Sequence, residues 1–157
     1  MTKSESATLY FTESFNCSQA VLAAFGQDYG LPEDQCLKLG CAFGGGMARQ
    51  QMTCGAVTGA LMALGLAYGR GANDQYSMTG TTYLKAAELF KEFKKRNGSL
   101  VCRELLHGLD MNDPLDQKKI QDLELFQMVC VKYVLDAVEI TEQLIADDTS
   151  DHPEIRK

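Results

Sequence analysis

Cys54-Gly55-Ala56-Val57-Thr58-Gly59 places a thiol between a glycine-bearing bend and a long apolar segment that reads as a helix. With Thr53 in an N-cap position, Cys54 falls in the first turn, where unpaired backbone N–H groups and the helix dipole favour thiolate. That is the form that attacks disulfides and ligates metals. Cys17 follows Asn16 in the same way, and Cys102 lies three residues after Ser99. At each helix start an anionic sulfur gains up to about 1 kcal/mol, or about 2 where partly buried. Cys130 differs, because it reads as mid-helix on the stripe Phe126, Cys130, Tyr133, Val134 and Ala137, which faces the core. Cys17 also faces inward, in register with Val21, Ala24 and Phe25. Cys17, Cys54, Cys102 and Cys130 are therefore the candidate catalytic or metal-ligating set and are expected to converge. Cys54 should be the most reactive, Cys102 second with help from the Arg103 guanidinium, and Cys130 slowest.

The other two cysteines, Cys36 and Cys41, read as packing and should lie apart from that set. The sequence holds no C-x-x-C and no C-x-x-C-H, which argues against a thioredoxin-like motif, a zinc ribbon and c-type haem attachment. Gly44-Gly45-Gly46 with Arg49 fits neither phosphate-binding glycine pattern, and no strand precedes it. Gly44, Gly45, Gly46 and Gly55 instead suit close approach of backbone to a neighbouring helix or a cofactor. His107 reads as a surface residue or C-cap, and His152 lies in the tail. Asp34, Glu104 and Asp136 form no acid/base pair.

The elements that must position these thiols read as helices throughout, so the fold class is all-α: a single-domain bundle, residues 1–157, around a buried central helix at about 54–68. A short amphipathic helix over about 4–14 carries Ala7, Tyr10, Phe11 and Ser14 on one side. Asn16 with Gln19 forms a capping box for the helix beginning at Cys17, and Gly26 and Gly30 mark its end. Pro32 opens a third helix running to about Phe43, which the three glycines break. The central helix is apolar on every side, with Gly55, Gly59, Ala63 and Ala67 as a small-residue ridge. A polar loop spans 69–80. The helix from Thr82 to about Arg96 has Tyr83, Ala86, Ala87, Phe90 and Phe93 on one face and ends at Asn97-Gly98. Ser99 caps Leu100–Leu106, Asp113-Pro114 starts a helix, and the last long helix runs to about Ala146. The tail from about residue 147 is polar and expected to fray.

Composition bounds the function. At 157 residues, 45% hydrophobic and 23% charged, the chain is ordinary for a globular protein that can bury a core. Net charge is −6, and the cluster Lys91, Lys94, Lys95, Arg96 is interrupted by Glu92, so nucleic acid and anionic membrane are poor partners. The start of the chain leads into no apolar segment, and the apolar run at 56–68 is too short and glycine-rich to insert in a membrane. The expected location is cytoplasmic, where six cysteines point to metal or redox chemistry more than to a disulfide framework.

Five stretches in order carry a resemblance: Asn16-Cys17-Ser18-Gln19-Ala20-Val21, Phe43-Gly44-Gly45-Gly46-Met47, Cys54-Gly55-Ala56-Val57-Thr58-Gly59-Ala60, Cys102-Arg103-Glu104-Leu105-Leu106 and Cys130-Val131-Lys132-Tyr133-Val134. From about Asn16 to Val138 the chain resembles the C_GCAxxG_C_C family, a bacterial and archaeal group regarded as redox-active from its cysteines. The resemblance maps the family's four cysteines onto Cys17, Cys54, Cys102 and Cys130 and leaves out Cys36 and Cys41. A similar domain occurs in split-Soret cytochromes, where an iron–sulfur centre accompanies haem; only the cluster part of that likeness can apply here.

Three chemistries stay open at this point. Four thiolates can complete an iron–sulfur cluster for electron transfer. Cys54 and a resolving cysteine can instead exchange thiol for disulfide with a redox partner protein. A structural zinc site with four cysteine ligands is the less favoured alternative, since such sites use short-range cysteine pairs. Beneath these lies a non-catalytic binding module that merely buries its cysteines. The apolar first helix leaves a homodimer open.

Overall fold

A computed structural model of the chain describes residues 1–151, with side chains to residue 147. It is all-helical. The elements are α1 Lys3–Thr12, α2 Cys17–Gly26, α3 Glu33–Gly40, α4 Gly55–Tyr68, α5 Ser77–Asn97, α6 Cys102–Leu105, α7 Pro114–Asp122 and α8 Val131–Asp151. Among the described residues the one piece of β pairing is a single bridge between Thr53 and Val101. No helix there is long and apolar enough to cross a membrane.

The core is built on α2 and α4. Capping of α2 follows the sequence: Asn16 accepts from the Gln19 N–H at 3.0 Å and Gln19 accepts from the Asn16 N–H at 2.9 Å. Nine of its ten residues are buried, which makes α2, rather than the central helix α4, the most enclosed element. Small residues explain this, because α1, α3 and α4 can all pack closely around Ala20, Ala23 and Ala24. Along α4, Ala56, Val57, Ala60, Ala63 and Leu64 are fully buried, whereas Leu66 emerges at 38% exposure. The expected small-residue ridge is where α2 meets α4. A Cβ on Gly59 would lie 2.7 Å from the Ser18 carbonyl oxygen and 3.0 Å from Val21 Cβ.

Several boundaries differ from expectation. The helix α5 begins at Ser77, so Gly80 lies inside it; its inward residues are Leu89 and Phe93, while Tyr83 is 71% exposed. Alternation of alanines and aromatics left that register ambiguous. The expected long last helix is broken: α7 ends at Asp122, Glu124 is left-handed at φ 50°, and a π turn spans Phe126–Cys130 before α8. Cys130 is therefore not mid-helix. At the other end α8 continues past Ala146 to Asp151, so residues 147–151, read as the start of the tail, are helical; His152 and the rest of the tail lie outside the described residues.

Gly65 supplies an internal control for the ridge, since a Cβ there meets nothing within 4 Å. Gly59→Ala should lower stability by about 1–3 kcal/mol through overpacking, and Gly65→Ala should raise it by about 0.5–1 kcal/mol through helix propensity. Urea midpoints for the two variants check this. Equal effects would mean that the α2–α4 approach is not tight at Gly59.

Candidate functional site

All four candidate thiols line one cavity of about 840 Å³. Cys17 comes from the first turn of α2, Cys54 from the start of α4, Cys102 from the start of α6 and Cys130 from the end of the π turn. Apolar side chains such as Phe11, Leu105, Met111 and Phe126 make much of the wall. Cys36 is buried elsewhere, against Leu22 and Ala23, with its thiol 3.5 Å from the Leu31 carbonyl oxygen. Cys41 departs from expectation, because it is exposed at the cavity wall, beside the capping residue Asn16. Asn16 Nδ2 donates to its carbonyl at 2.9 Å.

The glycines position this site by contact with protein atoms. A Cβ on Gly55 would overlap the Cys17 sulfur, so only glycine lets that sulfur seat against the start of α4. A Cβ on Gly44 would overlap the Asn16 side chain, and one on Gly46 would come within 2.7 Å of Cys102 Cβ. Gly45 contributes its backbone N–H to the Cys17 sulfur.

The loop after Gly44 is the strained part of the molecule. Gly45, Gly46, Met47, Ala48 and Arg49 are all left-handed, with φ of 65°, 67°, 68°, 49° and 62°, and Gln51 follows at 56°. Each non-glycine residue there costs about 1–2 kcal/mol. Hydrogen bonds to the segment 100–112 hold it. Gln51, only 3% exposed, donates from Nε2 to the Leu109 carbonyl at 2.8 Å and accepts the Met111 N–H on Oε1 at 2.9 Å. Asn112 Nδ2 donates to the Arg49 carbonyl at 2.8 Å. The Cys54 N–H donates to the Leu100 carbonyl at 2.8 Å, and the Cys102 N–H to the Met52 carbonyl at 2.6 Å. Two thiol-bearing backbones are thus stitched to one another's segments. Gln51 carried no signal in the sequence, since a buried glutamine in a polar stretch has no periodicity to reveal it.

The electrostatics set Cys17 apart from the other three thiols. Cys54 is itself the N-cap of α4, and Thr53 is occupied in the bridge to Val101. The Cys17 thiol is lowered to about 7, chiefly by a hydrogen bond from the Cys54 thiol, with the backbone N–H groups of Gly45, Ser18 and Cys17 adding to it against the cost of burial. Cys54 is pushed well up by that same bond, by burial and by the charge on Cys17. Burial raises Cys102 to about 12, the Cys17 charge adds to this, and Arg103 opposes it only weakly because its guanidinium pairs with Asp110 at 3.2 Å. Cys130 is raised further, by burial first and then by the charges of Cys17 and Cys102. Three backbone N–H groups act on Cys17 and only that of Ala56 acts on Cys54, so the charge of the pair favours Cys17. One hydrogen bond converts two equivalent-looking thiols into a donor and an anion.

Among the described residues no group of three or more His, Cys, Asp and Glu side chains could hold a metal ion. His107 is exposed, as its surface reading anticipated, and left-handed at φ 60°; the C-cap of α6 is Leu106 rather than His107.

A family model described as "Putative redox-active protein (C_GCAxxG_C_C)" matches residues 15–144. No curated protein and no solved structure matches the chain.

Alkylation of the reduced protein should label Cys17 fastest at pH 7, with a rate that rises through about pH 7 and falls about tenfold per pH unit well below it. Replacing Cys54 by Ala removes the main donor, so the Cys17 transition should move to higher pH and labelling at pH 6 should slow severalfold. Mass spectrometry of each cysteine across pH measures both. Labelling of Cys54 ahead of Cys17 at pH 7 would refute the assignment of the charge.

Proposed function

For this chain, which belongs to the C_GCAxxG_C_C family of redox-active proteins, we propose thiol–disulfide exchange with Cys17 as nucleophile and Cys54 as resolving thiol. The observation that carries it is that Cys17 Sγ seats against Gly55 at the start of α4, immediately after Cys54, with both cysteines on the wall of one cavity. A thiolate near neutrality beside a protonated thiol is the resting state such chemistry needs.

The steps balance within the pair and one disulfide. The Cys17 thiolate attacks one sulfur of R–S–S–R, forming a mixed disulfide and expelling one RS⁻. Cys54 gives its proton to that leaving thiolate, attacks Cys17 Sγ and expels the second RS⁻. The protein loses two electrons as Cys17–Cys54 disulfide, and the substrate gains them as one thiol and one thiolate, which takes its proton from water. A small thiol closes the cycle by reducing that disulfide.

The timing is built into the pair. In the resting state the Cys17 charge and its hydrogen bond hold Cys54 protonated, which keeps the second nucleophile inactive. Once Cys17 becomes a mixed disulfide, its charge is gone and the largest cause of the raised Cys54 value disappears. The Ala56 N–H then favours the Cys54 thiolate. Formation of the first bond therefore activates the second thiol. Cys102 and Cys130, without N–H donors among the causes that act on them, stay neutral beside the reaction.

Oxidation of the reduced protein by excess small disulfide should yield a Cys17–Cys54 bond by peptide mapping. Cys17→Ser should lose at least about 99% of the fast phase, and Cys54→Ser should accumulate a mixed disulfide on Cys17. A Cys54→Ser protein that forms none would refute the proposal. So would an anaerobically purified protein holding iron and acid-labile sulfide with all four thiols protected.

A further inference from the structure

Arg49 is the one charged side chain on the wall of the thiol cavity apart from the cysteines. Its backbone is forced into the left-handed region at φ 62°, where glycine would sit without strain. Strain of this kind clusters where a side chain is needed in place. Among the described residues its guanidinium makes no ion pair; one nitrogen, Nη2, donates to the Met111 carbonyl at 3.1 Å. A guanidinium has five N–H donors, so most remain for a ligand. Arg49 also lines an adjoining recess of about 420 Å³, whose walls include the Glu124 side chain and the amide side chains of Gln117, Gln121 and Gln127. The two spaces share Arg49, Met111, Phe126 and Gln127.

The thiols at the other end of this path are recessed. Cys54 is 6% exposed and Cys17 half-buried, so a folded protein presenting a disulfide on its surface would have difficulty reaching them, whereas a cavity of this size takes a small molecule. An apolar wall excludes strongly hydrated bodies, and within the thiol cavity, where no carboxylate faces it, the Arg49 cation selects for negative charge. From this arrangement we infer that the disulfide substrate is a small organic molecule with an apolar body and an anionic group that reaches Arg49 while its sulfur reaches Cys17. This rests on the Cys17 reading above. Arg49 acts here as a binding residue for substrate, outside the sulfur chemistry, and the net charge of −6 on the whole chain makes the local cation the feature that offsets general repulsion of anions.

Three aromatic or aliphatic disulfides separate the contributions: anionic dithiobis(nitrobenzoate), neutral dithiodipyridine and cationic cystamine. Rates of thiol release are compared for the intact protein and its Arg49→Gln and Arg49→Gly variants, all carrying Cys41→Ser so that the exposed rim thiol is silent. Arg49→Gln should slow the anionic probe about tenfold and leave the neutral one within about twofold. Arg49→Gly should do the same without loss of stability in urea beyond that of Arg49→Gln, because glycine relieves the left-handed strain. Raised salt should narrow the difference between anionic and neutral probes in the intact protein.

If both probes slow equally in Arg49→Gln, the residue is structural and the inference is overturned. It is equally overturned if neither slows, if cystamine is the fastest of the three relative to its rate with free cysteine, or if a folded protein disulfide reacts faster than the anionic probe. Cys17→Ser distinguishes the underlying reading: a fast phase that survives that change refutes Cys17 as nucleophile, whereas loss of the fast phase with no Arg49 effect refutes the substrate class alone.

Discussion

The missing Cβ of Gly55 is the constraint on which the site depends. Cys17 Sγ occupies the space that a side chain at position 55 would fill, and the same close approach continues one turn on, where Gly59 meets the Ser18 carbonyl. Two helices therefore touch almost backbone to backbone, and a sulfur at the start of one sits against the start of the other. From this contact follow the hydrogen bond between Cys17 and Cys54, the placement of α2 between its neighbours, and the burial that keeps the remaining thiols neutral. Helix propensity opposes the arrangement, since an interior glycine costs roughly 0.5–1 kcal/mol relative to alanine. Packing wins because the buried apolar surface of α2 and α4 is far larger than that penalty.

The left-handed turn after Gly44 is the second device, and it works against a larger local cost. Met47, Ala48, Arg49 and Gln51 have side chains and still adopt positive φ. Gln51 offsets this by placing both ends of its amide on the 109–111 backbone, so the turn is anchored at its most buried point. The result is a Gly45 N–H aimed at the Cys17 sulfur and a cation carried to the cavity wall at Arg49. Rigid helices supply three of the thiols, while this loop supplies the polarity around one of them.

Much of this architecture was legible in the residues. The capping box at Asn16 and Gln19, the small-residue ridge on α4 and the stop at Gly98 depend on local rules, and they were recovered. Convergence of the four thiols could be read because three fell at helix starts and one on a core face. What failed was non-local. Cys54 was given the charge because a helix start, considered by itself, favours thiolate; the structure adds that a cap residue shares its proton with Cys17, whose sulfur receives more N–H donors. The break between α7 and α8 was missed because residues 115–146 alternate apolar and polar groups as one helix would, and nothing in Leu123-Glu124-Leu125 signals a left-handed residue. Local spacing sets Cys41 apart from the other thiols, although the wall it joins is built from several other segments.

Four thiols in a partly buried cavity can carry about one negative charge, and this sets the logic of the site. A second thiolate would be desolvated and would face the first across a low-dielectric space, where repulsion is several times what it is in water. The raised values of Cys54, Cys102 and Cys130 all include the Cys17 charge among their causes. The thiols are therefore not four independent groups but one titrating set with a single preferred bearer. The neighbouring Cys54 thiol is the largest influence on that bearer, and the N–H groups fixed by Asn16 capping and by the strained turn add to it at Cys17. Any reaction that neutralises Cys17 releases the others from its field, so the order in which the thiols become nucleophilic is set by the order in which charge leaves the cavity.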